Sequence, residues 1–243
     1  MLYTATNGAR QAMQAQTAIS HNLANVSTVG FKSHFNTFTS WHVEGPGLNT
    51  RVMNKQSADD IDLSDGSIIK TERELDVAVT GNGFITVQAP DGTEAFTRAG
   101  DLRLDSNGRL TTGQGYVVVG NAGPIAIPPA EKIEIGQDGT ISIRPVGQAA
   151  NAMVIAERIK LVNPDVNELY KTADGLLQSR SGLIEPASPD VSLESGMLEQ
   201  SNVNAVGQMI ELITNARQFE TNIKLMQEAK SNDEVAARLL RNS

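Results

Sequence analysis

Few residues in this chain carry the spacing that chemistry demands. The run Asp59-Asp60-Ile61-Asp62-Leu63-Ser64-Asp65-Gly66 places oxygen ligands at alternate positions, as a calcium loop does. Counted from Asp60, however, glycine falls at the seventh position rather than the sixth. Glu72 overshoots the twelfth by one. A solvated acidic loop is therefore the expectation, not a cation cage. The three histidines, His21, His34 and His42, follow no metal-ligand spacing and are expected at helix or connector surface positions. The chain has no cysteine, which removes thiol nucleophiles, zinc–thiolate centres and disulfides together. It has no Gly-x-Ser-x-Gly elbow, and Gly113-x-Gly115 lacks the third glycine and following helix of a dinucleotide loop. No pair of carboxylates is singled out for glycosidase work. The expectation is no enzyme, no cofactor and no metal.

What the chain does carry is a change of alphabet along its length. The ends are helical in period and the middle is not. Met209, Leu212, Ala216, Phe219, Ile223 and Met226 step by three and four, the period of a packed helical seam. Ile210 and Ile213 widen that seam. Asn202 or Asn204 can cap the start, and Glu220–Lys224 and Glu234–Arg238 are acid-first i,i+4 pairs. Gly207 weakens the first turn by about 1 kcal/mol relative to alanine. Residues Ala205 to Leu240 as one helix would span roughly 50 Å. At the other end Leu2, Ala5, Ala9, Ala12, Gln16, Ile19 and Leu23 keep the same rhythm with smaller side chains. Alanines permit close approach but bury little area, so this helix depends on partners.

Between the helical ends lie short apolar runs: Val77 and Val79, Phe84 to Val87, Phe96, Leu102 and Leu104, Leu110, and Tyr116 to Val119. Gly81-Asn82-Gly83, Pro90-Asp91-Gly92, Ser106-Asn107-Gly108, Gly113-Gln114-Gly115 and Gln137-Asp138-Gly139 punctuate them, as tight hairpins require. Val154 to Val162 reads as a further strand, and Leu176-Leu177 and Leu183-Ile184 close the region. The expected class is α+β: terminal helices forming a coiled-coil-like layer with neighbours, around a central antiparallel all-β domain. The boundaries read as helix and signature at 1–32, connector at 33–74, β domain at 75–185, return connector at 186–202 and C-terminal helix at 203–243. The connector holds Gly45-Pro46-Gly47 and Trp41 with little periodicity.

The chain of 243 residues carries a formal charge of −8, which argues against nucleic acid as a partner. Nothing approaches the run of about 18 apolar residues that a membrane span needs. Nothing resembles a cleaved secretory signal or a transit peptide, although the first acidic residue is Glu44.

Three segments are recognisable. Asn22 to Lys32 reads NLANVSTVGFK, and Leu75 to Val87 reads LDVAVTGNGFITV, followed by DGTEAFTRAGDLRLDSNGRL from Asp91 to Leu110. Ser201 to Asn222 reads SNVNAVGQMIELITNARQFETN. In this order they resemble the signatures of the bacterial flagellar basal-body rod and hook proteins. The segment GNAGPIAIPPAEKIEIGQDGTI, Gly120 to Ile141, is most similar to the proximal-rod members. Two departures stand out. Ile85 replaces a second aromatic after Phe84, and Ala216-Arg217-Gln218-Phe219-Glu220 replaces the usual Gln-Arg-Ala-Tyr-Glu.

The resemblance implies a structural subunit of a helical rod. Its terminal segments would stack into an inner tube around the export channel, with the β domain outward. It implies copies of itself, other rod proteins and the flagellar export apparatus as partners. It places the rod in the periplasm, reached without a cleaved signal. The implied assembly residues are Leu2, Ala5, Ala9, Ala12, Ile19, Leu23, Asn25, Gly30, Phe31, Met209, Leu212, Ile213, Ala216, Phe219, Ile223 and Met226. Gly30 is expected to turn the chain out of the first helix through a conformation that glycine favours, with Phe31 as a plug. The isolated monomer is expected to leave its ends unfolded; the alternative is a helical hairpin within one chain. Other readings are a distal-rod or hook-type subunit, or a secreted β-domain glycan-binding protein or hydrolase.

Overall fold

The computed structural model describes residues 2–42, 52–148, 152–172 and 174–241. The Gly45-Pro46-Gly47 turn and the side chains of Leu2, Trp41 and His42 lie outside the described residues. The chain divides into two units. One comprises Met1–Val26, Ser33–Asp62 and Val203–Ser243; the other comprises Ser27–Lys32 and Leu63–Asn202.

The first unit is built from α1 (Leu2–Ala24), β1 (His34–His42), β2 (Val52–Ile61) and α2 (Ala205–Arg241). The α2 helix starts where Asn204 accepts the Gly207 N–H at 3.0 Å, a side-chain cap for a free donor. It is a single helix of 37 residues, held along part of its length by α1. The α1 helix ends at an asparagine: the Asn25 amide side chain and its backbone N–H both donate to the His21 carbonyl. The antiparallel β1–β2 pair is a departure from the sequence reading, which has this span as a loosely structured connector. Its β1 strand is rich in Phe and Thr, with Trp41, but β2 is mostly polar, VMNKQSADDI. A strand whose sequence does not alternate apolar with polar residues shows no period-2 hydrophobic signal.

In the second unit the strand pairings are all antiparallel, and one 3-10 turn, Val166–Glu168, interrupts the strands. Its strands are β3 (Ile68–Lys70), β4 (Val77–Thr80), β5 (Phe84–Gln88), β6 (Glu94–Thr97), β7 (Arg103–Leu104), β8 (Leu110–Thr111) and β9 (Val117–Val118). There follow β10 (Ala130–Ile135), β11 (Thr140–Pro145), β12 (Val154–Arg158), β13 (Leu161–Val162), β14 (Leu169–Lys171), β15 (Leu177–Ser179), β16 (Ser192–Ser195) and β17 (Met197–Glu199). The largest sheet runs β14-β15-β6-β5-β9-β8-β7, with β13 also on β5; β10-β11-β12 form a second sheet. The β5–β6 hairpin shows why Pro90-Asp91-Gly92 stands where it does. Gly92 has φ +86°, and Asp91 accepts both the N–H and the hydroxyl of Thr93.

The core between the sheets is aliphatic: Val77, Ile85, Val87, Leu102, Leu110, Val118, Ile125, Ile141, Ile159 and Leu176 are essentially inaccessible. Phe96 and Phe84 are buried as well. Three expectations change here. The Val154–Val162 strand is broken into β12 and β13, which join different sheets. Leu183 and Ile184 form no strand and stand 74% and 76% exposed. Their run lacks the alternation that marks a half-buried strand. Likewise β16 and β17, in the span read as a return connector, pair with β4 and β3.

Candidate assembly surfaces

Within the first unit the two helical stripes meet each other. Contacts run in opposite directions along the two helices, so the pair is antiparallel. Asn22 donates to Gln208 at 3.3 Å, and Asn215 donates to the Ala12 carbonyl at 2.7 Å. Gly8 lies against Asn222, where a Cβ would sit 3.0 Å from the amide, and Thr6 reaches the Met226 sulfur at 3.3 Å. Ala5, Ala9, Ala12, Ala18 and Ile19 are buried on α1. Leu23 is half-buried, as are Leu212, Ala216, Phe219, Ile223 and Met226 on α2. Small residues on α1 let the backbones approach closely enough for an asparagine to reach across to a main-chain carbonyl. The expectation that each stripe waits for a neighbouring subunit is thus revised: each covers part of the other in one chain. Two narrow stripes of matching period are complementary in sequence order as well as in pattern.

Gln16, which shares the α1 rhythm, is exposed. So are Met209 and Ile213, at 51% and 55%, and they are joined by Val206 and Ile210 at 67% and 60%. At 3.6 residues per turn these four form one patch, roughly a third of a turn from the paired seam. The predicted residues therefore divide. Leu212, Ala216, Phe219, Ile223 and Met226 belong to the helix pair, whereas Met209 and Ile213 belong to an apolar patch that the described residues leave open. Near the base of α1, Asn22 grips the backbone of His34 with two hydrogen bonds, of 2.8 and 3.1 Å. This brings the His21 and His34 rings to 5.0 Å, and both are half-buried rather than on the surface.

In the second unit the signature residues dock on the β framework. Gly30 has φ +65°, and a Cβ there would collide with the Arg98–Ala99 peptide. Its N–H donates to the Glu199 carbonyl at 2.8 Å. Phe31 is buried, with the Lys171 ammonium 3.5 Å from its ring centroid. Lys171 also donates to the Lys32 carbonyl at 2.6 Å. Burial lowers the Lys171 amine to about 8.

Beside it lies an ion cluster that the sequence reading did not anticipate. Lys32 Nζ meets Glu199 Oε1 at 2.7 Å, and Arg98 Nη1 meets Glu199 Oε2 at 3.1 Å. Asp65 adds contacts of 3.2 Å to Arg98 and 3.8 Å to Lys32. Lys32, Arg98 and Glu199 are buried, while the Asp65 side chain is 71% exposed. Lys32 is held below its ordinary pKa by burial, opposed by its hydrogen bond to Glu199 and that carboxylate's charge. No run or period links residues so far apart in sequence, so only the quoted signature at Lys32 hinted at the site. The acidic loop is thereby accounted for in part: Asp65 serves the two cations, and Asp60 accepts from Thr37 at 2.6 Å.

Family comparisons follow the same three segments. Residues 2–32 match the family described as flagella basal body rod protein. Residues 78–143 match the flagellar hook protein FlgE/F/G D1 domain, and 194–239 match the flagellar basal body rod FlgEFG protein C-terminal family. The flagellar basal-body rod protein FlgF of Escherichia coli K12 is 39% identical over 98% of this chain and 97% of its own length. Its counterpart from Salmonella typhimurium LT2 is 38% identical over the same shares. The FlgG rod protein of Bacillus subtilis 168 is 32% identical over 98% of this chain and 97% of its own. With relatives matched from end to end, the chain belongs to the flagellar basal-body rod protein family, as a FlgF-like structural subunit of the rod.

Proposed function

We propose that this subunit occupies the proximal rod and assembles through its paired helices. In this reading the α1–α2 pair is the building block, and the open patch of Val206, Met209, Ile210 and Ile213 packs against helices of neighbouring rod subunits, including further copies of the chain. Burying these side chains removes apolar surface from water, worth about 25 cal/mol per Å². Because the patch meets a different surface on the next subunit, contacts repeat along an open helix rather than closing a dimer. The tube so formed passes torque as a rigid body, with no turnover, cofactor or metal in its work. The subunit reaches the periplasmic rod through the flagellar export apparatus. Asn25, Gly30 and Phe31 contribute by fixing how the chain leaves α1.

The observation that carries this reading is the exposed patch itself: four large apolar side chains on one helix face beside a seam that is already paired. Ile213→Asp tests it. The purified variant is expected to keep its helical content, because the residue lies outside the helix pair. In cells that lack the native copy, it is expected to give no rods and no swimming. Normal swimming with Ile213→Asp would refute the patch as an assembly surface.

A further inference from the structure

The β unit is made from two separate pieces of chain, residues 27–32 and 63–202. The short piece is sewn to both ends of the long one. At the start of the long piece, Lys32 Nζ donates to the Ser64 and Leu63 carbonyls at 2.7 and 3.4 Å. At its finish, the Gly30 N–H donates to the Glu199 carbonyl at 2.8 Å, and the Asn202 N–H donates to the Phe31 carbonyl at 3.3 Å. Asn202 also donates through its side chain to the Ser64 carbonyl at 3.2 Å, so start and finish are joined directly. One carboxylate joins the short piece to the start of the long one. Glu199 takes Lys32, Arg98 and the Gly66 N–H, the last at 2.9 Å.

We propose that Glu199, with Lys32 and Arg98, is a latch that makes the docking of residues 27–32, 63–66 and 199–202 a single event. The charges explain why the coupling is strong. Lys32 and Arg98 are each 4% exposed, and among the described residues Glu199 is the one buried anion that serves both. Without its charge, two buried cations share only Asp65, which lies largely in water. A buried charge that loses its partner seeks water. Arg98 is held elsewhere, by the Gly81 carbonyl at 2.7 Å and over the Phe84 ring at 5.3 Å. Lys32 sits on the short piece and can leave with it. The latch thus opens locally, releasing the Gly30-Phe31-Lys32 signature while the aliphatic core stays closed.

The test uses the full-length chain and amide hydrogen exchange read by peptide. In Glu199→Gln, exchange in residues 27–32, 63–66 and 199–202 is expected to quicken by about tenfold or more, with β5 and β6 unchanged. A second variant separates charge from shape. Lys32→Met combined with Glu199→Gln has no lysine to expel, so exchange at residues 27–32 is expected to return toward the native rate. The proposal fails if Glu199→Gln leaves residues 27–32 as protected as before. It fails equally if β5 and β6 open to the same extent, or if the double variant is as open as Glu199→Gln alone.

Discussion

Lys171 shows what a single side chain contributes and how pH reveals it. Its ammonium has a ring face and a carbonyl as neighbours, and burial sets the folded pKa near 8 against an ordinary 10.5. The unfolded chain therefore binds more protons between these values, and stability rises with pH across the window from about 8 to 10.5. The gain is absent below 8, where the amine is protonated in both states. Urea unfolding at stepped pH is expected to show this rise for the native chain and a flatter profile for Lys171→Met. The neighbouring Lys32 is also lowered by burial, but its partner Glu199 opposes the shift. At this scale the sequence is least legible. Gly30 and Phe31 stand out by their place after a helix, and Gly30 adopts the positive φ expected of it. Arg98 and Glu199 do not stand out, since partners 101 positions apart leave no local pattern. Glu199 lies in a stretch that reads as a plain return connector.

Among the elements, the helix pair has the clearest physics. Each stripe was legible from its three- and four-residue steps, yet their meeting within one chain stood only as the alternative to pairing with neighbours. A periodic stripe states that a helix needs a partner but leaves open which one. The polar members of the seam, Asn215 and Asn222, were also missed, because amphipathic reading counts apolar positions only. The β1–β2 pair escaped for a related reason: its second strand, VMNKQSADDI, carries no apolar alternation to read. By contrast the hairpins were legible, since Asp-Gly and Asn-Gly turns carry their geometry in residue type. Phe219 is half-buried on the α2 face that meets α1. Phe219→Asp places a charge in that seam and is expected to cost about 3 kcal/mol. Circular dichroism on heating is expected to show the helical signal melting well before the β signal, where the native chain holds both longer. Unchanged helical melting in Phe219→Asp would remove that residue from the seam.

At the scale of the whole molecule, the two units divide the work of a rod subunit. The β unit is a closed body with an aliphatic core and a charged latch across its chain ends. The helical unit is paired but not closed, since α2 keeps apolar side chains in water that its partner helix leaves uncovered. An apolar patch maintained beside a satisfied seam is what a subunit requires if it is to fold alone and still polymerise. No helix among the described residues is long and apolar enough to cross a membrane.

The absence of cysteine from the chain makes the central claim directly measurable, because a single introduced thiol labels uniquely. Ile213→Cys, read by maleimide labelling in the purified monomer and in isolated intact basal bodies, compares the patch before and after assembly. The account predicts rapid labelling in the monomer and strong protection in basal bodies that contain the variant. Equal labelling in both states would show that the patch stays in water in the finished rod, and would contradict assembly through this face.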